Sequence, residues 1–416
     1  MKTRHAVYFQ DACQMEQLAD RSVQLMITSP PYPMIEMWDD LFRGQDKRID
    51  AALSKNLGRE AFAAMHQRLD GVWKEVYRVL QPGGLACINI GDATRSLKDE
   101  FALYPNHVRI LDALQRLGFT ILPEILWRRP TNSPTKFRGS GMLPAGAYVT
   151  LEHEFILIAR KGGKRMFSKP DLRANRQASA FFWEERNQWF SDVWMDIVGT
   201  RQKLPGGKIR ARSAAFPFEI AYRLINMYSA KGDLVLDPFM GTGTTMAAAM
   251  TAARHSTGYE LSRELAPIIK ETAECLPALA HETLQLRLAR HQTFIAQRQE
   301  AGKPLKYRNR VYGFPVVTNQ EKNLYLDEVR TVSVNGSGEF TVTYAPQPES
   351  RPATESETKI EVQAHAPATQ AAPRQTAPQT PRRKRGRPPK AKPDSAQIPL
   401  FGESCPSPGK RPLGIP

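Results

Sequence analysis

Two short stretches hold residues whose types and spacing could do chemistry. Residues 25–32 read LMITSPPY, four apolar or β-branched residues running into a serine and two prolines. Proline has no backbone N–H and disfavours a helical residue before it, so Pro30-Pro31 must stop the preceding strand and leave Ser29 and Tyr32 on a rigid corner. Residues 233–245 read DLVLDPFMGTGTT. There a buried strand ends at Asp237, Gly241 and Gly243 allow close backbone approach, and Thr244-Thr245 open a helix. A Gly-rich turn leading from a strand into a helix N-terminus is how doubly wound folds hold nucleotide-like cofactors. Glu260 closes the strand-like run HSTGYE, 19 positions after Gly241, near the roughly 20-residue offset of a ribose-binding acid. Neither GxGxxG nor a P-loop lysine is present, so a dinucleotide or ATP fits poorly.

The elements that must carry these residues alternate. HAVYF (5–9), VQLMIT (23–28), LACINI (85–90), ILPEILW, HEFILIA (153–159) and DLVLDP (233–238) read as strands. Helical patterns fall around 60–80, over about 106–117 and after Gly243, and Gln81-Pro82-Gly83-Gly84 is a turn signal. Strands separated by helices predict an α/β domain with a doubly wound, mostly parallel sheet covered on both faces. Residues 160–212 break the rhythm: they are basic and aromatic and read as an insertion. Residues 262–300 are helical in pattern but interrupted by Pro267 and Pro277.

The chain of 416 residues carries a formal charge of +16, which points to an anionic partner, nucleic acid first. No apolar run reaches the roughly 18 residues of a membrane span, and the start MKTRHAVYFQDACQ lacks a secretory h-region. Cys13, Cys87, Cys275 and Cys405 are isolated, with neither metal spacing nor a disulfide framework, as expected of reduced thiols in a cytoplasm. His153-Glu154 has no third ligand and reads as structural, so no metal site is expected. From Pro346 to the end stand 12 Lys/Arg, 6 Asp/Glu and 15 prolines with few large apolar residues. Such a segment cannot bury enough apolar surface to offset its ordering entropy and reads as a disordered tail.

Taken together and in this order, TSPPY, DPFMGTGTT and GYE closely resemble the motifs of S-adenosylmethionine-dependent DNA amino-methyltransferases. With TSPPY about 200 residues before the glycine loop, the order is that of the permuted (beta) class. YFQDA (8–12), LQPGG, EHEFILIARKG and AAFPFEIAYRLI (214–225) extend the resemblance over roughly residues 5–270. The stretch Arg212-Ser213-Ala214-Ala215 departs from a common HPAxFP form. The resemblance implies a Rossmann-like methyltransferase fold with a catalytic half (1–159), a target-recognition insertion (160–212), a cofactor-binding half (213–300), an extension (301–345) and the tail (346–416).

It also implies roles. Ser29, Pro30, Pro31 and Tyr32 would be catalytic, with Ser29 and the Pro30 carbonyl accepting hydrogens of an exocyclic amino group and Tyr32 stacking on a flipped base. Asp11, Asp237, Phe239, Gly241, Gly243, Thr244 and Glu260 would bind S-adenosylmethionine, the aromatic Phe239 suiting a sulfonium cation. Ser before PPY is similar to cytosine-N4 enzymes, whereas Asp or Asn there marks adenine-N6 enzymes. Two alternatives stay open: an adenine-N6 enzyme, or an inactive DNA-binding or clamp-associated protein. Ile35, Met37 and Trp38 read as packing. In the insertion, Arg and Lys interleaved with Trp and Phe suit phosphate contacts and groove readout. The tail segment 382–392, with Arg385-Gly386-Arg387-Pro388, resembles an AT-hook, and QIPLF resembles a sliding-clamp peptide anchored by Gln397, Leu400 and Phe401. The expected partners are double-stranded DNA, a cognate restriction endonuclease and the clamp, in a bacterial or phage setting.

Overall fold

A computed structural model describes residues 1–98, 100–129, 140–197, 216–336 and 338–346, all within the unit Met1–Ile360. The AT-hook-like segment, the clamp-like peptide, residues 198–212 of the insertion and Ser213-Ala214-Ala215 lie outside the described residues. The strands are β1 (Lys2–Tyr8), β2 (Val23–Thr28), β3 (Leu80–Ile90), β4 (Ala93–Leu97), β5 (Glu100–Tyr104), β6 (Phe119–Arg128) and β7 (His153–Lys161). They continue with β8 (Val193–Trp194), β9 (Leu234–Asp237), β10 (His255–Tyr259), β11 (Tyr307–Arg308), β12 (Pro315–Val316), β13 (Val329–Val334) and β14 (Glu339–Tyr344).

Ten of them form one sheet in the order β13-β14-β1-β10-β9-β2-β3-β7-β6-β8. The middle, β1-β10-β9-β2-β3, is parallel throughout. Antiparallel β14 and β7 flank it on either side, so the sheet is mixed rather than parallel to its edges. β4-β5 and β11-β12 make separate small hairpins.

Alternation along the central strands explains why both faces are covered. In β2, Met26 joins a cluster with Leu69, Trp73 and Val76 of the helix Gly58–Val79. Leu25 and Ile27 face the other way, onto Ile220 and Leu224 of the helix Phe218–Tyr228 and Ala248 of the helix Thr244–Thr251. From Leu25 to Ile27 the two helical layers are thus sorted by the parity of the strand, while Val23, before the register shift against β3, joins the Met26 side.

Several local expectations shift. Val23 pairs with Leu80 but Leu25 with Leu85, so Pro82-Gly83-Gly84 bulges out of β3 rather than ending the preceding element. Pro267 and Pro277 do not interrupt a helix. Each sits in the first turn of its own, Ala266–Glu274 and Leu276–Glu300, where the missing N–H costs nothing. The aromatic residues of the insertion need a larger correction. Phe182, Trp189 and Trp194 are buried. Arg287 of the helix Leu276–Glu300 forks onto Glu185 at 2.6 and 2.7 Å, and Phe182 stacks on His291. β8 pairs alongside β6. Those rings are core and cannot stack on bases. No helix among the described residues is long and apolar enough to cross a membrane.

Candidate functional site

Strand order decides where the chemistry gathers. From β2 the chain crosses towards β3, and from β9 towards β10, so the two crossovers leave in opposite directions from neighbouring strands. Such a switch point opens a crevice outside the carboxyl ends of the strands. TSPPY leaves β2 there, and DPFMGTGTT leaves β9 beside it.

The two motifs are tied together. Thr28 Oγ1 donates to Asp237 Oδ1 at 2.6 Å, Thr245 Oγ1 donates to Asp237 Oδ2 at 2.5 Å, and the Phe239 N–H donates to Oδ1 at 3.0 Å. Burial pushes the Asp237 carboxyl up to about 6. With both oxygens engaged, Asp237 is chiefly a clip between the corner and the glycine loop. Gly243 caps the helix Thr244–Thr251 with φ +87, a left-handed conformation that side chains resist. It makes the turn and is absent from the cavity wall. Gly241 is different: a Cβ built on it would meet nothing within 4 Å, because it borders open cavity.

That cavity has a volume of about 1090 Å³, and it is lined by Ser29, Pro30, Pro31 and Tyr32 together with Asp11, Asp237, Phe239, Gly241, Thr244 and Glu260. Every expected site residue except Gly243 and those of the tail is therefore on one wall or another. Asp11 pairs with Arg68 at 2.8 Å and accepts the Cys13 N–H at 2.8 Å. Glu260 accepts the Gly241 N–H at 2.9 Å and the Ser262 N–H at 2.8 Å, and burial raises its carboxyl above the usual range. Phe239 meets the Trp73 ring edge-on. Two carboxylates, an aromatic face and an unobstructed glycine backbone suit a nucleoside carrying a cationic sulfonium.

Asn89 and Arg129 escaped the sequence reading, and Glu154, expected to be merely structural, joins them at the prolyl corner. Tyr32 OH donates to Glu154 Oε2 at 2.8 Å, Asn89 Nδ2 donates to both at 2.9 and 2.6 Å, and Arg129 Nη1 donates to Glu154 Oε1 at 2.6 Å. Ser29 Oγ lies 3.1 Å from Tyr32 OH. Glu154 was legible as part of EHEFILIARKG, but only the antiparallel run of β7 brings that strand's beginning to the site. Ile35, Met37 and Trp38 also line the cavity, so the packing role expected for them is incomplete. The helix beside them is held by the Arg95–Asp39 pair at 2.7 Å.

A doubly wound sheet with an acid-anchored glycine loop and a prolyl corner at its switch point defines an α/β domain that binds a nucleotide-like cofactor. Residues 23–271 match the N6_N4 DNA methylase family, and the chain belongs to that family. It is 48% identical over 363 residues to the Type II methyltransferase M.MthZI of Methanothermobacter thermautotrophicus, covering 87% of this chain and 100% of that protein. It is 51% identical over 280 residues to the Type II methyltransferase M.MjaI of Methanocaldococcus jannaschii, covering 65% of this chain and 91% of the relative. Among solved structures, a Thermus thermophilus protein assigned as a DNA modification methylase, in complex with S-adenosyl-L-methionine, superimposes with a TM-score of 0.51 at 31% identity. That likeness covers 66% of this chain and 95% of the other. The chain is thus a DNA methyltransferase, and S-adenosylmethionine is its methyl donor.

Proposed function

We propose that this protein is a site-specific methyltransferase of the permuted class, acting on the exocyclic N4 of cytosine in double-stranded DNA after flipping the base from the helix. Bound S-adenosylmethionine supplies a methyl group activated on a sulfonium. Asp11, Phe239, the Gly241 backbone and Glu260 would hold it at one end of the cavity. At the other end Ser29 Oγ and the Pro30 carbonyl accept the amino hydrogens, and the Tyr32 ring supports the base. An amino nitrogen conjugated to its ring is a weak nucleophile, so alignment and acceptor contacts contribute more than a strong base would.

The observation that carries this reading is the single cavity of about 1090 Å³ reached by both motifs, more than the roughly 300–1,000 Å³ of ordinary ligand pockets. It has room for a cofactor and a base together. Ser29 ahead of the prolines favours cytosine over adenine. The relatives' designation as Type II methyltransferases favours pairing with a restriction endonuclease of the same specificity. In the tail, Arg385 and Arg387 are read as minor-groove contacts and Gln397, Leu400 and Phe401 as a clamp peptide.

The test is to methylate DNA with the purified protein, digest it to nucleosides and map the modified positions. N4-methylcytosine is expected. N6-methyladenine would overturn the base assignment, and no methylated base at all would overturn the activity.

A further inference from the structure

We infer that Glu154 sets the direction of the hydrogen-bond chain at the prolyl corner, so that Ser29 presents only acceptor lone pairs to the cavity and selects a base bearing an amino group. This rests on the reading of Ser29 as the amino acceptor. Glu154 acts through Tyr32 and is a positioning residue.

The Glu154 carboxylate is met by three donors: Arg129 Nη1 at 2.6 Å on one oxygen, Tyr32 OH at 2.8 Å and Asn89 Nδ2 at 2.6 Å on the other. An ionised carboxylate only accepts, so the single Tyr32 proton is committed to Glu154. Burial and the neighbouring carboxylate keep the Tyr32 phenol well above its ordinary range, which leaves that proton in place. Asn89 must present its amide nitrogen here, because its oxygen would face an acceptor-only group. The Tyr32 oxygen therefore accepts, from Asn89 Nδ2 at 2.9 Å and from Ser29 Oγ at 3.1 Å. Spending its one proton on Tyr32, Ser29 keeps its lone pairs for the cavity it lines. A base offering N–H is then matched. A base offering a carbonyl oxygen at that position meets another acceptor, and an unmatched buried polar pair is costly. In Glu154→Gln the amide can donate to Tyr32, reversing the chain and turning the Ser29 proton outward.

The experiment compares wild type, Glu154→Gln, Tyr32→Phe and the double variant on a duplex holding the mapped target. A matched duplex has the amino group of the target base exchanged for a carbonyl: uracil for cytosine, or hypoxanthine for adenine. Wild type should bind the amino duplex more tightly by at least about tenfold, and Glu154→Gln should lose that preference to within about twofold. The kcat of Glu154→Gln should fall by about ten- to a hundredfold with S-adenosylmethionine affinity unchanged. In the Tyr32→Phe background the Glu154→Gln change should add less than about twofold, since the chain is already cut. If Glu154→Gln fails to fold, Glu154→Met replaces it: the acceptor for the Tyr32 proton is gone, so Tyr32 is free to donate to Ser29 and the same loss of preference is expected. Retained preference in the variants, no preference in wild type, or fully additive costs would each overturn the inference. A wild type that methylates no DNA would instead defeat the function proposed above.

Discussion

Thr28 and Asp237 stand 209 positions apart and meet in a 2.6 Å hydrogen bond. That contact locks the last residue of β2 to the last residue of β9, and through Asp237 to Thr245 and the Phe239 N–H. The corner and the glycine loop are held as one rigid piece. Thr28→Val keeps the shape and removes the donor, and should cost about 1–3 kcal/mol of folding stability, as for loss of a partner to a buried charged group. Denaturant unfolding measures it, and calorimetric titration should show weaker S-adenosylmethionine binding in parallel. Unchanged values for both would mean the link is dispensable.

The Asp237 carboxyl titrates near 6 in the folded chain against an ordinary 3.8, because burial disfavours its charge. With the folded value the higher one, the folded protein binds the extra proton between these pH values. The stabilisation from this group is full below about pH 4 and is lost as pH rises through 6, by about 3 kcal/mol in all. Other carboxylates, such as Glu75 held low by Arg78, change stability in the opposite sense. The effect is therefore read as a difference: the gap between Asp237→Asn and wild type should move in favour of the variant from pH 4 to pH 7. A gap that stays constant across this range would contradict the assignment.

Gly241 and Gly243 have positive φ of +55 and +87 but different surroundings. Alanine at either should cost about 1–2 kcal/mol through the left-handed backbone. Only Gly241→Ala puts its methyl into the cavity, so only it should also reduce S-adenosylmethionine affinity beyond the stability loss. Equal affinity losses in both variants would argue against this division of labour.

Trp194 is buried between β6 and the helix Phe218–Tyr228, with the Arg223 guanidinium over its ring. Trp194→Ala should destabilise by about 3–5 kcal/mol. Arg173, exposed on the helix Pro170–Ala178 of the same insertion, should be replaceable by alanine with a change under about 0.5 kcal/mol. Thermal or denaturant unfolding separates the two. A mild Trp194→Ala would restore the idea that the ring serves DNA rather than the core.

Much of this protein is legible residue by residue. A short apolar, β-branched run marks β2 as 23–28, and the prolyl stop and the Gly-Thr-Gly turn are local chemistry that needs no partner to be recognised. The rings of Phe182, Trp189 and Trp194 depart from the expectation because composition cannot say which face of a segment is buried. Burial there is decided by Arg287 and His291 on a helix about 100 residues later.

By itself the sequence determined the central strands, the principal helices between them, the two motifs and the excess positive charge, since each follows from periodicity, backbone restriction or residue type within a short window. Only the tertiary structure decided that β2 lies beside β9, that Asp237 is clipped by Thr28, and that β7 runs antiparallel and so delivers Glu154 and, next to it, Arg129 to Tyr32. The physical reason is that strand order and direction are set by how whole faces pack and which backbone edges find partners. Those are long-range choices, and no local spacing in the chain records them.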